Sequence, residues 1–101
     1  SLTSVMQALV DGPKDAGLAG FPADTELLSA YIADGVVCVD LSAQFKAVEE
    51  TEGLCQALQT AIALTANELE SVYGADIYVE GKEYALHSSE ASVSAYVNEF
   101  K

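Results

Sequence analysis

The stretch Thr25-Glu-Leu-Leu-Ser-Ala-Tyr-Ile-Ala-Asp-Gly-Val-Val-Cys-Val-Asp-Leu-Ser42 decides the fold. Asp34-Gly35 suits a two-residue type I′ turn, because both central residues need positive φ, which Gly takes freely and Asp tolerates. The flanking runs are β-branched and aromatic, as strands prefer. Counting by twos, Leu28, Ala30 and Ile32 share one face of the first arm, and Val37, Val39 and Leu41 share one face of the second. Leu27, Ser29 and Tyr31 turn the other way, with Val36, Cys38 and Asp40. One side of the hairpin therefore requires a core, and the other is left partly wet.

The segments on either side supply that core. Leu2, Val5, Met6, Leu9 and Val10 form one apolar stripe at helical spacing, and Gly12-Pro13 ends that helix. From Lys14 to Asp24 the chain is rich in Gly, Ala, Asp and Pro and reads as a loop, with Leu18 and Phe21 as apolar pegs and Pro22 extending Phe21. Beyond the hairpin, Glu49, Glu50 and Glu52 read as a solvated loop or first helical turn, where negative charge favours the helix dipole. Residues 51–73 repeat the helical stripe through Leu54, Leu58, Ala61, Ile62, Thr65, Leu69 and Val72, with Gly74 just past the end. Ile77 and Val79 then alternate with Asp76, Tyr78 and Glu80 as a half-buried strand. Glu80-Gly81 turns it, and residues 83–86 read as a short edge strand. In the tail from His87, Val93, Tyr96, Val97 and Phe100 fit a short helix, while Val93, Ala95 and Val97 also alternate as in a strand, and a connector to a following segment is the further alternative. The expected architecture is α+β, an α-β-β-α-β two-layer sandwich over 1–86 with two helices on one face of a small mixed sheet, followed by the tail 87–101.

Composition narrows the function. The 101 residues hold one domain, and no apolar run reaches the roughly 20 residues needed to cross a bilayer. Sixteen Asp and Glu stand against four Lys and no Arg, a formal net charge of −12. That argues against nucleic acid and against a polybasic membrane patch, since both depend on Lys and Arg. It also removes the bidentate clamp for phosphates. Cys38 and Cys55 have no metal spacing and read as buried free thiols, with a bridge between them as the alternative.

The catalytic inventory is empty: no catalytic, cofactor-binding or metal-ligating set is expected. His87 is the only histidine and reads as a surface residue near a turn; Ser88 and Ser89 beside it do not make a triad. Gly17 and Gly20 lack the strand and helix that a phosphate cradle needs. Asp40 and Ser42, where the hairpin leaves the sheet, are suited to bonding freed backbone N–H groups of the next loop. Tyr31, Tyr78 and Tyr84 are expected on the less buried face, as an amphipathic interaction surface.

Three segments in order, Ala8-Leu9-Val10-Asp11-Gly12-Pro13, Phe21-Pro22-Ala23-Asp24-Thr25 and Asp34-Gly35 through Asp40-Leu41-Ser42 to Phe45, resemble the GerM-type (GerMN) sporulation and spore germination domain. In that family a helix ending in Leu-x-x-Gly-Pro leads to a Pro-x-Gly-Thr loop and an Asp-Gly hairpin closing on Val-Asp-Leu-Ser. Residues 59–65 and 77–82 resemble its second helix and final strand and turn. Asp24 departs from the pattern, standing where the family usually has Gly, and the strand that usually precedes the first helix is missing here. The order of elements also resembles the ring-building motif of secretion and sporulation channels. The resemblance implies structural roles for Gly12, Pro13, Pro22, Asp34, Gly35, Asp40, Leu41 and Ser42. It further implies an extracytoplasmic bacterial protein, anchored through a segment outside this chain, that assembles with a protein partner or with itself through a sheet edge and carries out no catalysis. The alternative is a small-ligand or divalent-cation binding domain of the cell envelope.

Overall fold

The computed structural model describes residues 1–12 and 20–87. Pro13, the apolar peg Leu18, and the tail beyond His87 lie outside the described residues.

Helix α1 (Leu2–Asp11) starts at Ser1, whose hydroxyl accepts from the Ser4 backbone N–H at 3.3 Å, and ends at Gly12 with φ 53°. Strands β1 (Leu27–Ala33) and β2 (Val36–Leu41) pair antiparallel across Asp34 (φ 52°) and Gly35 (φ 78°), the two positive φ values that a type I′ turn requires. A 3-10 helix (Ala43–Glu50) and helix α2 (Leu54–Asn67) carry the chain over to β3 (Gly74–Val79), which pairs parallel to β2. Strand β4 (Lys82–Ala85) returns antiparallel to β3 around Glu80 (φ 50°) and Gly81 (φ 83°). The sheet runs β1-β2-β3-β4, a mixed sheet with its helices packed on it as expected, and β4 is the short edge strand read at 83–86, begun one residue earlier.

Met6 and Val10 of α1, Leu58, Ile62 and Ala66 of α2, and Phe45 and Val48 of the 3-10 helix close over Val37, Val39, Leu41, Ala75, Ile77 and Val79. Gln59 of α2 ties the layers with a polar bond, its amide donating to the Ala75 carbonyl at 2.7 Å and the Ala85 carbonyl at 3.3 Å.

Three local expectations are corrected. The β1 pairing slips between Leu27 and Ser29, a bulge that turns Leu27 onto the core opposite Leu41 and leaves Leu28 49% exposed. Only Ala30 and Ile32 keep the inward face foreseen for them. Of the acidic stretch, Glu49 and Glu50 are not in a loop, because residues 43–50 wind into the 3-10 helix as Phe45 and Val48, three apart, both reach the core; Glu52 lies in the exposed turn before α2. Helix α2 stops six residues before Tyr73, where the Asn67 side chain takes the Val72 N–H at 3.0 Å and turns the chain outward. Gly74 accordingly opens β3 rather than capping the helix. The reading of Cys38 and Cys55 as free thiols holds, and the alternative bridge does not form: Cys38 lies on the sheet face away from the helices, whereas Cys55 packs at the core from α2, so the sheet separates the two thiols.

Candidate functional site

Strand alternation sends one set of side chains away from both helices. By register, Tyr31, Cys38 and Asp76 form one row across β1, β2 and β3, and Ser29, Asp40, Tyr78 and Glu83 form the next row across all four strands. Rows of this kind space neighbouring side chains about 5 Å apart. Tyr31 is 54% exposed and Tyr78 half-buried, so the two rings stand diagonally across β2 with Cys38 and Asp40 between them. A depression of about 210 Å³ opens there, lined among others by Ser29, Tyr31, Cys38, Asp40, Tyr78 and Gly81.

Asp40, Leu41 and Ser42 hold one end of this face together. The Gly81 N–H donates to Asp40 Oδ1 at 2.9 Å and the Glu80 N–H to the Leu41 carbonyl at 2.9 Å, which pins the β3–β4 turn to the end of β2. The buried Ser42 hydroxyl accepts from the Glu26 N–H at 2.8 Å, while its own N–H donates to the Glu26 carbonyl at 2.9 Å. Both side chains therefore satisfy backbone donors, but those of flanking strands and turns rather than of the loop that follows. At Pro22 the carbonyl accepts from both the Thr25 N–H, at 3.2 Å, and its hydroxyl, at 2.7 Å; Asp24 holds φ 66°, the left-handed position the resemblance assigns to Gly.

Tyr84 does not join the other two tyrosines. The β3–β4 register slips between Ile77 and Tyr78, and Tyr84 turns to the helix side, edge-on to Phe45 at 5.7 Å between ring centroids. Its hydroxyl donates to the Glu49 carboxylate. Burial, followed by the bond to and charge of Glu49, pushes its pKa up to about 12. A tyrosine that keeps its proton more tightly folded than unfolded contributes stability that is complete below pH 10 and lost as pH climbs from 10 towards 12. Urea midpoints measured at about pH 9.5 and about pH 11.5 should therefore fall less in Tyr84→Phe than in the parent. Equal falls would show that Tyr84 does not couple to folding. Tyr31 and Tyr78, also raised, remain in both proteins and cancel.

On the outer face the Tyr31 hydroxyl is pushed up by the facing Cys38 thiol, and the Cys38 thiol is pushed up by burial, which keeps it neutral and a poor nucleophile. Two residues on this side were not foreseen as partners. His87 is half-buried rather than a free surface group: its N–H donates to Asp76 Oδ1 at 2.7 Å and its Nδ1 stands 2.6 Å from the same oxygen. Its ring meets Tyr73 edge-on at 5.7 Å, and a Cβ at Gly74 would come within 3.0 Å of its own Cβ. The period-two pattern puts Asp76 on this face; it carries no signal that His87, just past β4, lies against Gly74 and Asp76 of β3. Among the described residues no group of three or more His, Cys, Asp or Glu could hold a metal ion.

Residues 1–85 match the family model Germane, described as sporulation and spore germination, which spans both helices and all four strands. No curated protein matches the chain. Among solved structures, the fold resembles a Clostridium perfringens protein described as a "Putative Lipoprotein", with TM-score 0.55 and 24% identity over 84% of this chain and 58% of that one. The chain thus spans less than two thirds of that protein's length.

Proposed function

The chain belongs to the Germane family of sporulation and spore germination, and from that premise we propose that it is a non-catalytic assembly module of an extracytoplasmic bacterial protein. The observation that carries this reading is a sheet that, among the described residues, has helices on one side only. The helices cover one face, while the other presents Tyr31 and Tyr78 beside Asp40, Asp76 and Glu83, the mixture of aromatic and polar groups on which protein interfaces are built. The outer edge of β1, regular from Ala30 to Ala33 and without a paired strand among the described residues, adds backbone donors and acceptors for a pairing strand. An envelope location and an anchor outside this chain accord with the lipoprotein description of the structural neighbour. The same depression favours a small-ligand role as the second reading, and a divalent ion would find no ready set of ligands among the described residues.

The test places a photo-crosslinking residue at position 31, 78 or 64 of the full-length protein in its own cells. Discrete adducts are expected from 31 and 78 but not from 64, since Leu64 is 65% exposed on α2, away from the face. Adducts only from 64, or from none of the three, would refute the outer face as the assembly surface.

A further inference from the structure

The depression between Tyr31 and Tyr78 has the walls and charge of a cation site. Two electron-rich rings stand across it, and a cation within about 6 Å of a tyrosine face is attracted by the ring quadrupole. Asp40 lies between the rings, and its Oδ1 already takes the Gly81 N–H, leaving Oδ2 without a hydrogen-bond partner among the described residues. Glu83 in the same row and Asp76 in the adjoining one add negative charge, which disfavours an anionic occupant. The floor is neutral, formed by the largely buried Cys38. A chain with four Lys, no Arg and a net charge of −12 attracts basic partners over a Debye length before contact.

Building on the assembly reading above, we propose that this depression receives a cationic side chain, lysine or arginine, presented by a basic segment of a protein partner. The stem of such a side chain lies along the Tyr31 and Tyr78 rings while its charged head reaches Asp40 Oδ2. The two rings supply apolar contact for the methylenes, and the carboxylate supplies the one strong acceptor. The remainder of the acidic outer face selects the basic segment on which the side chain is carried.

Binding is measured by titrating the 101-residue chain with a ten-residue lysine-and-serine peptide, its fully acetylated-lysine twin, and 1,5-diaminopentane. Three variants are compared with the parent. Asp40→Asn removes the charge and retains an oxygen for Gly81, Tyr31→Leu removes an exposed ring, and Glu68→Gln removes a charge just past α2. The lysine peptide should bind in a salt-sensitive manner and the acetylated twin should not. Asp40→Asn and Tyr31→Leu should each weaken binding about threefold, and about tenfold together, with less than a twofold effect from Glu68→Gln. Equal binding of the acetylated twin, or an equal loss in Glu68→Gln, would overturn the site. Diaminopentane binding as tightly as the peptide would assign it to a free amine instead of a protein segment. If the peptide fails while crosslinks from position 31 persist, the cation site is wrong and the assembly surface stands; if both fail, the assembly reading falls with it. Unchanged melting temperatures confirm that each variant is folded.

Discussion

Phe45→Ala is expected to cost about 3–5 kcal/mol and to lower the melting temperature by about 15–25 °C, the largest effect of any single truncation considered. Phe45 is fully buried and lies in the 3-10 helix, where it meets Phe21 at 5.9 Å and Tyr84 at 5.7 Å. It joins three pieces of chain that are distant in sequence: the loop before β1, the connection between β2 and α2, and the edge strand β4. Truncation opens a cavity bounded by a sheet on one side and a helix on the other, neither of which can collapse far into it. Phe45→Leu, which keeps most of the volume, should cost less than half as much. A second readout separates packing from global unfolding. Because burial is the first cause of the raised Tyr84 pKa, removing the Phe45 ring should bring that tyrosine back towards 10.0 in a spectrophotometric titration of the still-folded variant. A melting temperature within a few degrees of the parent, or a Tyr84 titration left near 12, would contradict this placement of Phe45.

Phe45 also shows where sequence reading stops. The Asp34-Gly35 turn, the stripe of α1 and the alternation of Ile77 and Val79 are local signals, each decided by backbone sterics or by a single period, and each is found where the pattern puts it. An apolar pair three apart, as in Phe45 and Val48, fits a loop peg as well as a turn of 3-10 helix, and only the Phe21 and Tyr84 rings from elsewhere in the chain decide between them. The two bulges are of the same kind. A one-residue slip reverses the facing of every residue on one side of it, so alternation alone puts Leu28 and Tyr84 on the wrong faces although it places the strands themselves. The end of α2 was hidden because Leu69 and Val72 continue its stripe, while the Asn67 side chain that stops it competes through a hydrogen bond that no periodicity records. For the outer face, Tyr31, Tyr78 and Asp40 were legible from alternation alone. Their grouping around Cys38 depends on the parallel register of β2 and β3, which is set by the long crossover and not by any short motif.

Gly35→Ala is the second large effect, expected at about 2 kcal/mol, and it tests the hairpin on which the domain is built. Two separate costs meet at this position. With φ 78° any L side chain is strained, and a Cβ would also stand 2.7 Å and 2.8 Å from two ring atoms of Tyr73. Although Tyr73 is 64% exposed, its ring is held in place, because the Tyr73 N–H donates to the Gly35 carbonyl at 2.8 Å and the ring meets the His87 ring at 5.7 Å between centroids. Gly53 provides the control: its φ is 80°, nearly the same, but nothing lies within 4 Å of its would-be Cβ. Gly53→Ala should therefore pay the backbone strain alone, about 1 kcal/mol. The excess at Gly35 should vanish in a Tyr73→Ala background, a coupling of about 1 kcal/mol in a double-mutant cycle followed by urea denaturation. If Gly35→Ala and Gly53→Ala cost the same, and Tyr73→Ala changes neither, the packing of Tyr73 over the turn contributes nothing to stability. If the coupling appears, the hairpin turn is held from outside by the segment between α2 and β3. The same aromatic ring then links the Asp34-Gly35 turn to the His87–Asp76 pair on the outer face, so that the local signal most visible in the sequence is stabilised by a contact from the far end of the domain.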